Sequence, residues 1–114
     1  MSNVTELVEG LDAMLDHMRA DYAQWSDLGD DPNGTRARMT EEYSASLQYS
    51  MGKKYVKVTD GSSVKAFVVA CEDDKKFAYG DILKPAGWKT PARNFRRGNV
   101  LDRTFDRVRW TGAL

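Results

Sequence analysis

An apolar stripe with helical spacing occupies the N-terminal part of this chain and limits the folds that it can adopt. Over residues 4–25 the apolar residues recur at intervals of three and four, and at 100° per residue they lie within roughly 120° of one helix face. They are Val4, Leu7, Val8, Leu11, Met14, Leu15, Met18, Tyr22 and Trp25. The pattern predicts one long amphipathic helix, whose stripe the rest of the chain must cover.

The apolar stripe does not explain two residues of this predicted helix, Gly10 and His17. Glycine costs about 1 kcal/mol relative to alanine in a helix. Either another backbone segment comes close to Gly10, or the helix is stable enough to tolerate it, and we favour the second explanation. His17 lies roughly 120° from the centre of the stripe, so we expect it on a flank or in solvent.

A second helix is expected after residues 30–34, where Asp-Asp-Pro-Asn-Gly has the chemistry of a turn. Met39, Tyr43 and Leu47 recur every four residues, and Gly52 is placed to end the helix in a left-handed C-cap conformation. The two helices together form a predicted acidic helical hairpin.

After this hairpin the apolar period changes to two, which is typical of strands. Asp60-Gly61 is a turn signal between the first two strands, which we expect to form a β-hairpin. The predicted strands are 54–59, 63–70, 77–79, 82–84 and 105–111. We expect the last of them to close the sheet.

The second predicted strand carries apolar residues on both faces, with Val64 and Val68 on one and Phe67 and Val69 on the other. It is therefore expected to be buried on both sides. Because the helices precede the strands, the order favours an α+β fold over a parallel α/β arrangement. We predict a single domain over residues 1–114, in which the helical hairpin packs on a small, mainly antiparallel β-sheet or partly open barrel.

The chain has no net charge, but its charges are divided unevenly. Residues 1–52 carry ten acidic against three basic residues, and residues 53–114 carry seven against fourteen. The domain therefore has an acidic helical segment followed by a basic β-rich segment. We expect the basic part to face an anionic ligand, an acidic protein or the acidic part of another copy.

Several classes of protein are disfavoured by features that the sequence lacks. The longest apolar run, Ala66 to Cys71, is too short to span a bilayer, and no secretory signal is present, so we expect a cytoplasmic protein with no membrane partner. One histidine and one cysteine cannot form a conventional zinc site. Because phosphate-loop and nucleophile motifs are also missing, we expect no enzyme, no catalytic residue, no metal and no cofactor.

The most informative stretch runs from Lys84 to Asn99 and carries five cationic residues, two aromatic residues and no acidic residue. We name it the basic segment. Guanidinium groups suit phosphate oxygens, and aromatic rings stack on bases. We therefore expect Arg93, Arg96 and Arg97 to hold phosphate; the alternative is a solvated loop with aromatic anchors in the core. The predicted ligand-binding residues are Lys84, Trp88, Lys89, Arg93, Asn94, Phe95, Arg96, Arg97, Arg107 and Arg109.

A family resemblance covers residues 53–112. The motifs that carry it are Gly80-Asp81-Ile82-Leu83-Lys84, Trp88-Lys89, Pro91-Ala92-Arg93-Asn94-Phe95, Arg97-Gly98-Asn99-Val100 and Arg109-Trp110-Thr111-Gly112. In this order they resemble a family of small uncharacterised proteins encoded by tailed bacteriophages. The resemblance implies a phage origin, and it favours binding of a host enzyme or of a nucleotide signal.

Three functions agree with these observations. The first is a non-catalytic phage accessory protein of the host cytoplasm that binds a phosphate-bearing ligand, nucleic acid or nucleotide, through the basic segment. The alternatives are a phage inhibitor or modulator that docks on a host protein, and a structural homo-oligomer. Because the stripe of the first helix is long for a sheet of four or five short strands to cover, we also expect a homodimer or a higher assembly.

Overall fold

The structure is a computed structural model that describes residues 4–26, 35–61 and 63–114. In these residues the elements are, in order, helices α1 (Val4–Ser26) and α2 (Thr35–Ser46), and strands β1 (Leu47–Met51), β2 (Tyr55–Asp60), β3 (Ser63–Val69), β4 (Asp81–Leu83), β5 (Gly98–Asn99), β6 (Val108–Arg109) and β7 (Gly112–Ala113). The predicted α+β class is therefore confirmed.

Strands β1 to β5 form one antiparallel sheet in sequence order, and β6 and β7 form a separate two-stranded sheet. The large sheet has two different faces. Val56, Val68 and Ile82 belong to the apolar cluster shared with α1, on what we call the helix face. Phe67 and Leu83 belong to a second cluster on the opposite side, the outer face. The sheet is not closed, so the open-sheet form of the prediction is correct.

Helix α1 covers the helix face with its apolar stripe. Leu7, Leu11 and Met18 are fully buried, as the spacing of the stripe predicts. Near the end of α1, the ring of Tyr22 stacks on that of Tyr43 in α2, with centroids 4.4 Å apart. The two helices thus contact each other as a hairpin, while the predicted turn at residues 30–34 lies outside the described residues.

Gly10 is required by a close backbone approach, so the explanation that we favoured from the sequence is wrong. A Cβ atom at this position would lie 2.6 Å from the carbonyl oxygen of Val100. The Val100 amide in turn donates a hydrogen bond to the carbonyl of Gly80 at 2.9 Å, which fixes this turn after β5. Glycine therefore allows α1 to sit directly against the turn.

The predicted second helix is wrong beyond Ser46, because the next five residues form the edge strand β1. Leu47 is buried, as its helical spacing predicted, but it pairs with Asp60 of β2. Gly52 does not cap a helix; its amide donates a hydrogen bond to the carbonyl of Tyr55 in the β1–β2 connection. The alternation of apolar and polar residues over β1 was the signal for a strand.

The β2–β3 hairpin is confirmed, but it contains a bulge at Lys65 that the alternation did not predict. Val58 pairs with Ala66 and Thr59 pairs with Val64, which leaves Lys65 without a partner across the hairpin. A bulge reverses the facing of the residues beyond it. Val64 consequently packs with the outer-face cluster, whereas we predicted it on the same face as Val68.

Two other predicted strands are wrong. Residues 77–79 form a loop, because the amide of Phe77 donates a hydrogen bond to the carboxylate of Asp74 instead of to a neighbouring strand. Residues 105–111 contribute only β6, which pairs with β7 and lies against α1. The end of the chain therefore does not close the large sheet. The predicted strand at 82–84 corresponds to β4.

Polar side chains of α1 hold the β6–β7 hairpin in place. His17, which we expected on a flank or in solvent, is half-buried, and its Nε2 donates a hydrogen bond to the carbonyl of Val108 at 2.9 Å. One turn later, the carboxylate of Asp21 accepts a hydrogen bond from the amide of Trp110 at 2.9 Å.

In the described part of the chain, neither helix is both long and apolar enough to cross a membrane.

Replacement of Gly10 tests the contact between α1 and the Val100 turn. We expect Gly10→Ala to lower the free energy of unfolding by about 1–3 kcal/mol, because the added methyl group overlaps a fixed backbone carbonyl. A glycine that was merely tolerated would give the opposite sign, a gain of about 1 kcal/mol. Urea unfolding measures the change, and Ala20→Gly on the exposed side of α1 provides the helix-propensity control.

Candidate functional site

The basic segment is a long loop that follows β4 and ends in β5. Its neck is closed where the amide of Ala92 donates a hydrogen bond to the carbonyl of Lys84 at 2.7 Å. Its tip is a turn in which the amide of Gly87 donates to the carbonyl of Thr90 at 3.1 Å. This turn presents Trp88, which is 47% exposed. The segment therefore has a defined shape and carries its aromatic ring outward.

Arg93 is held by a carboxylate of the protein itself. Its two terminal nitrogens donate hydrogen bonds of 2.8 and 2.9 Å to the two oxygens of Asp74, in the bidentate geometry that guanidinium groups favour. The guanidinium also donates to the hydroxyl of Tyr55 and lies 5.0 Å from the ring centroid of Phe77. Arg93 thus joins the loop after β3 to the basic segment.

The Asp74 carboxylate is fully enclosed by donors, and its side chain is 1% exposed. The hydrogen bonds from Arg93 hold the pKa of this carboxyl well below its usual range, and the amides of Lys76 and Phe77 lower it further. The same pair raises the pKa of the Arg93 guanidinium. Both groups therefore stay charged together over the ordinary pH range.

Arg96 has an acidic partner as well. Its guanidinium donates a hydrogen bond of 3.0 Å to Asp81, the buried first residue of β4. The same carboxylate accepts a hydrogen bond from the side-chain amide of Asn99 at 2.9 Å and one from the backbone amide of Ala78 at 2.8 Å. Arg96 therefore completes a polar network at the β4–β5 pair, although its side chain is 55% exposed.

Arg97 differs from both neighbours because its partners are neutral. It is 5% exposed, and its Nη1 donates hydrogen bonds to the side-chain oxygen of Asn94 at 2.7 Å and to the carbonyl of Phe95 at 2.6 Å. Its Cζ lies 3.9 Å from the ring centroid of Phe95, and the Cζ of Arg107 lies 5.6 Å from the same centroid. We name Arg97, Phe95 and Arg107 the arginine stack.

A shallow cavity of about 280 Å³ lies near the turn between β1 and β2. Four lysines line it, namely Lys53, Lys54, Lys57 and Lys89, and we name it the lysine groove. Tyr55 and Phe67 also contribute to its lining, and no acidic residue does. The ammonium of Lys57 lies 4.4 Å from the ring centroid of Trp88, so the tip of the basic segment adjoins the groove.

The remaining predicted site residues lie apart from these groups. Arg109 lies near α1, where its guanidinium is 3.8 Å from the carboxylate of Asp21. Lys84 is exposed at the neck of the basic segment. The ten predicted residues therefore occupy different local environments: two salt bridges, the arginine stack with Asn94, the lysine groove, the α1 side and, for Lys84, the neck of the basic segment.

Sequence reasoning missed the contribution of the β1–β2 turn to the basic surface. Lys53, Lys54 and Lys57 were assigned to the strand region and not to a site. A usable signal was present, because three lysines in five residues surround Tyr55 and precede an alternating strand. What the sequence did not provide was the fold that brings Lys89 to the same place.

The other reactive groups of the described residues do not form a site. Burial raises the pKa of the Cys71 thiol, and a hydrogen bond with Asp73 raises it further, so the thiol stays protonated and weakly nucleophilic. No group of three or more histidine, cysteine, aspartate and glutamate side chains is arranged to hold a metal ion within the described ranges.

Fold and surface together define a small α+β protein with a helix on one face of its sheet and, elsewhere, two cationic groups, the lysine groove and the arginine stack, that have no carboxylate partner among the described residues. The chain belongs to a family of unknown function, DUF7717, whose model matches residues 2–114. No curated protein and no solved structure matches the chain significantly. The resemblance to tailed-phage proteins stays a prediction.

The Asp74–Arg93 pair makes stability depend on acid pH. The pKa of Asp74 is lower in the folded than in the unfolded protein, so its contribution to stability is complete above the ordinary value of about 3.9 and is lost as the pH falls toward the lowered value. We expect Asp74→Asn to lower the free energy of unfolding at neutral pH and to flatten its fall in acid. Urea unfolding at neutral pH measures the first effect, and a series between about pH 5 and pH 2 measures the second.

The exposed residue Asp102 supplies the control for this experiment, because Asp102→Asn removes the same formal charge outside the pair. Its unfolding free energy is expected to fall with acid as steeply as that of the unaltered protein. If Asp74→Asn loses stability in acid as steeply as the control does, Asp74 is not the carboxylate that the account requires.

Proposed function

We propose that this protein binds nucleic acid, without catalysis, at the lysine groove. The observation that carries the proposal is the convergence of four lysines from two distant parts of the chain on one shallow surface that no acidic residue lines. Like charges repel, so such a cluster lowers stability unless an anion approaches it. A phosphodiester backbone supplies anions at regular spacing.

The charge of the groove is available to a ligand. Lys53, Lys54 and Lys89 are exposed, and Lys57 is half-buried beside Trp88. Lysine ammonium groups are mobile point charges on flexible stems, which suit a backbone whose phosphates vary in position. Neutralising them with phosphates would release condensed counterions, so binding would weaken as salt increases.

Trp88 offers a surface for stacking next to these charges. Its ring is 47% exposed, and the Lys57 ammonium 4.4 Å from its centroid keeps it beside the groove. Base stacking on an aromatic ring contributes about 1–3 kcal/mol per base and needs unpaired bases. The combination therefore favours a single strand over a duplex.

The shape of the groove favours a strand over a free nucleotide. Pockets for small molecules are typically about 300–1,000 Å³ and bury most of the ligand. The lysine groove, at about 280 Å³, is smaller and shallow. A chain that crosses it can leave at both ends, whereas a single nucleotide would stay largely in solvent.

The lysine groove changes the residues to which we assign phosphate. The sequence led us to expect phosphate on Arg93, Arg96 and Arg97, and that assignment stays a prediction. A phosphate on Arg93 would compete with the two hydrogen bonds to Asp74. Arg96 faces the same competition from Asp81. Lysines without a carboxylate partner have no such competitor.

One observation favours the alternative of a structural homo-oligomer. β1 is an edge strand of the sheet, it contains no charged residue over Leu47–Met51, and Met51 is 50% exposed. Edge strands that lack charges are templates for pairing with another chain. Docking on a host protein, a phage origin and residence in the host cytoplasm also stay predictions.

The salt dependence of binding tests the proposal. We expect the double variant Lys53→Gln/Lys54→Gln to reduce the magnitude of the log–log salt slope by about 1.4, roughly 0.7 for each lost lysine contact with a single strand. The measurement is fluorescence anisotropy of a labelled oligothymidylate over a series of sodium chloride concentrations. Binding should weaken without a change in the melting temperature, because these lysines are exposed.

The matched control is Lys75→Gln/Lys84→Gln, which removes two exposed lysines that do not line the groove. We expect its salt slope to stay close to that of the unaltered protein. An equal loss in both double variants would show that net charge, and not the lysine groove, governs binding. No binding of oligothymidylate by the unaltered protein at low salt would refute the proposal.

A further inference from the structure

Arg97 is a buried cation that has no anion beside it. Its residue is 5% exposed, yet no carboxylate of the described residues lies within salt-bridge distance of Arg97 or of Arg107. Its hydrogen bonds from Nη1 go to neutral oxygens, and its Nε is buried without an acceptor. Buried charges are almost always paired, so this group needs an explanation.

The surroundings of Arg97 increase the cost of its charge. Burial lowers the pKa of the guanidinium, and the nearby charge of Arg107 lowers it further. An anion placed between the two guanidiniums would remove both penalties. By contrast, Arg93 and Arg96 already have the carboxylates of Asp74 and Asp81. Of these neighbouring arginines, Arg97 is therefore the one whose charge is left for something outside the described chain.

We propose that the arginine stack is a binding site for a phosphate monoester that carries a planar ring, such as a nucleoside monophosphate. Arg97 and Arg107 hold the phosphate, and the ring stacks on Phe95. This site is separate from the lysine groove and does not depend on the proposed function.

The chemistry of the stack matches that ligand in two respects. A phosphate monoester carries a charge of about −1.5 to −2 near neutral pH, which balances two guanidinium groups. Guanidinium groups also bind its oxygens through two parallel hydrogen bonds, for which the Nε of Arg97 is available. Because this nitrogen is buried, binding requires a side-chain movement that exposes it.

Phe95 supplies the apolar half of the site. Its ring lies against both guanidiniums and is 47% exposed, so one part of it is free to contact a ligand. Exposed phenylalanine rings are unfavourable in water, and stacking on a base covers them. A ligand with both a phosphate and a ring should therefore bind more tightly than phosphate alone.

Nuclear magnetic resonance of the arginine side chains tests this site directly. We expect adenosine monophosphate, added to the nitrogen-15-labelled protein at constant ionic strength, to shift the Nε–Hε signal of Arg97 saturably. Glycerol phosphate should bind roughly tenfold more weakly, because it has no ring to stack. Acetate should bind much more weakly than either phosphate ester, because it carries a single charge and no ring.

Two variants separate the parts of the site. Arg107→Gln alters an exposed side chain and should weaken the binding of adenosine monophosphate roughly tenfold. Phe95→Leu should remove the advantage of adenosine monophosphate over glycerol phosphate. If Phe95→Leu does not fold, Arg107→Gln still decides, because unchanged affinity in that variant excludes the site.

The lysine variant distinguishes this site from the lysine groove. Lys53→Gln/Lys54→Gln should leave the affinity for adenosine monophosphate unchanged. The proposal is overturned if the Arg97 signal does not move, or if acetate moves it as much as adenosine monophosphate does. It is also overturned if the lysine variant lowers the affinity for adenosine monophosphate as much as Arg107→Gln does. None of these outcomes depends on whether oligothymidylate binds.

Discussion

Burial of the α1 stripe against one face of the sheet sets the position of most other elements. Leu7, Leu11 and Met18 lose all contact with water there, and fully burying side chains of this kind contributes about 1.5–3 kcal/mol each. The close approach of α1 at Gly10 places the turn after β5, while His17 and Asp21 place the β6–β7 hairpin. Once the helix covers this face, the functional surface must lie on the outer face, at the turns and at the sheet edges.

On those surfaces there are two kinds of cationic side chain: those paired with a carboxylate of the protein, and those without such a partner. Arg93 and Arg96 hold Asp74 and Asp81, which belong to loops and strands far from them in sequence. Bidentate or networked pairs of this kind fix the fold locally. The lysine groove and the arginine stack have no such carboxylate among the described residues, so their charges can interact with ligands. Local pairing, and not local density of positive charge, therefore identifies the candidate sites.

The sequence was most informative where one local pattern decided the structure. The period of α1 and the alternation around Asp60-Gly61 predicted the long helix and the β2–β3 hairpin correctly. The sequence was least informative where contacts between distant residues decided the local structure. Leu47 satisfied a helical and a strand pattern equally, and only its pairing with Asp60 made it a strand residue. In the same way, no local signal joined Arg93 to Asp74, or Lys89 to the lysines of the β1–β2 turn.

Hydrogen–deuterium exchange with and without oligothymidylate tests the central claim, that the helix face supports the fold and the lysine groove binds the ligand. Bound oligothymidylate should slow exchange of the amides at residues 50–57 and 86–90, which surround the groove, and should leave α1 and residues 93–97 unchanged. Slowed exchange confined to α1, or to residues 93–97, would contradict this assignment, because oligothymidylate would then bind the helix or the segment that carries Arg93, Arg96 and Arg97 instead of the lysine groove.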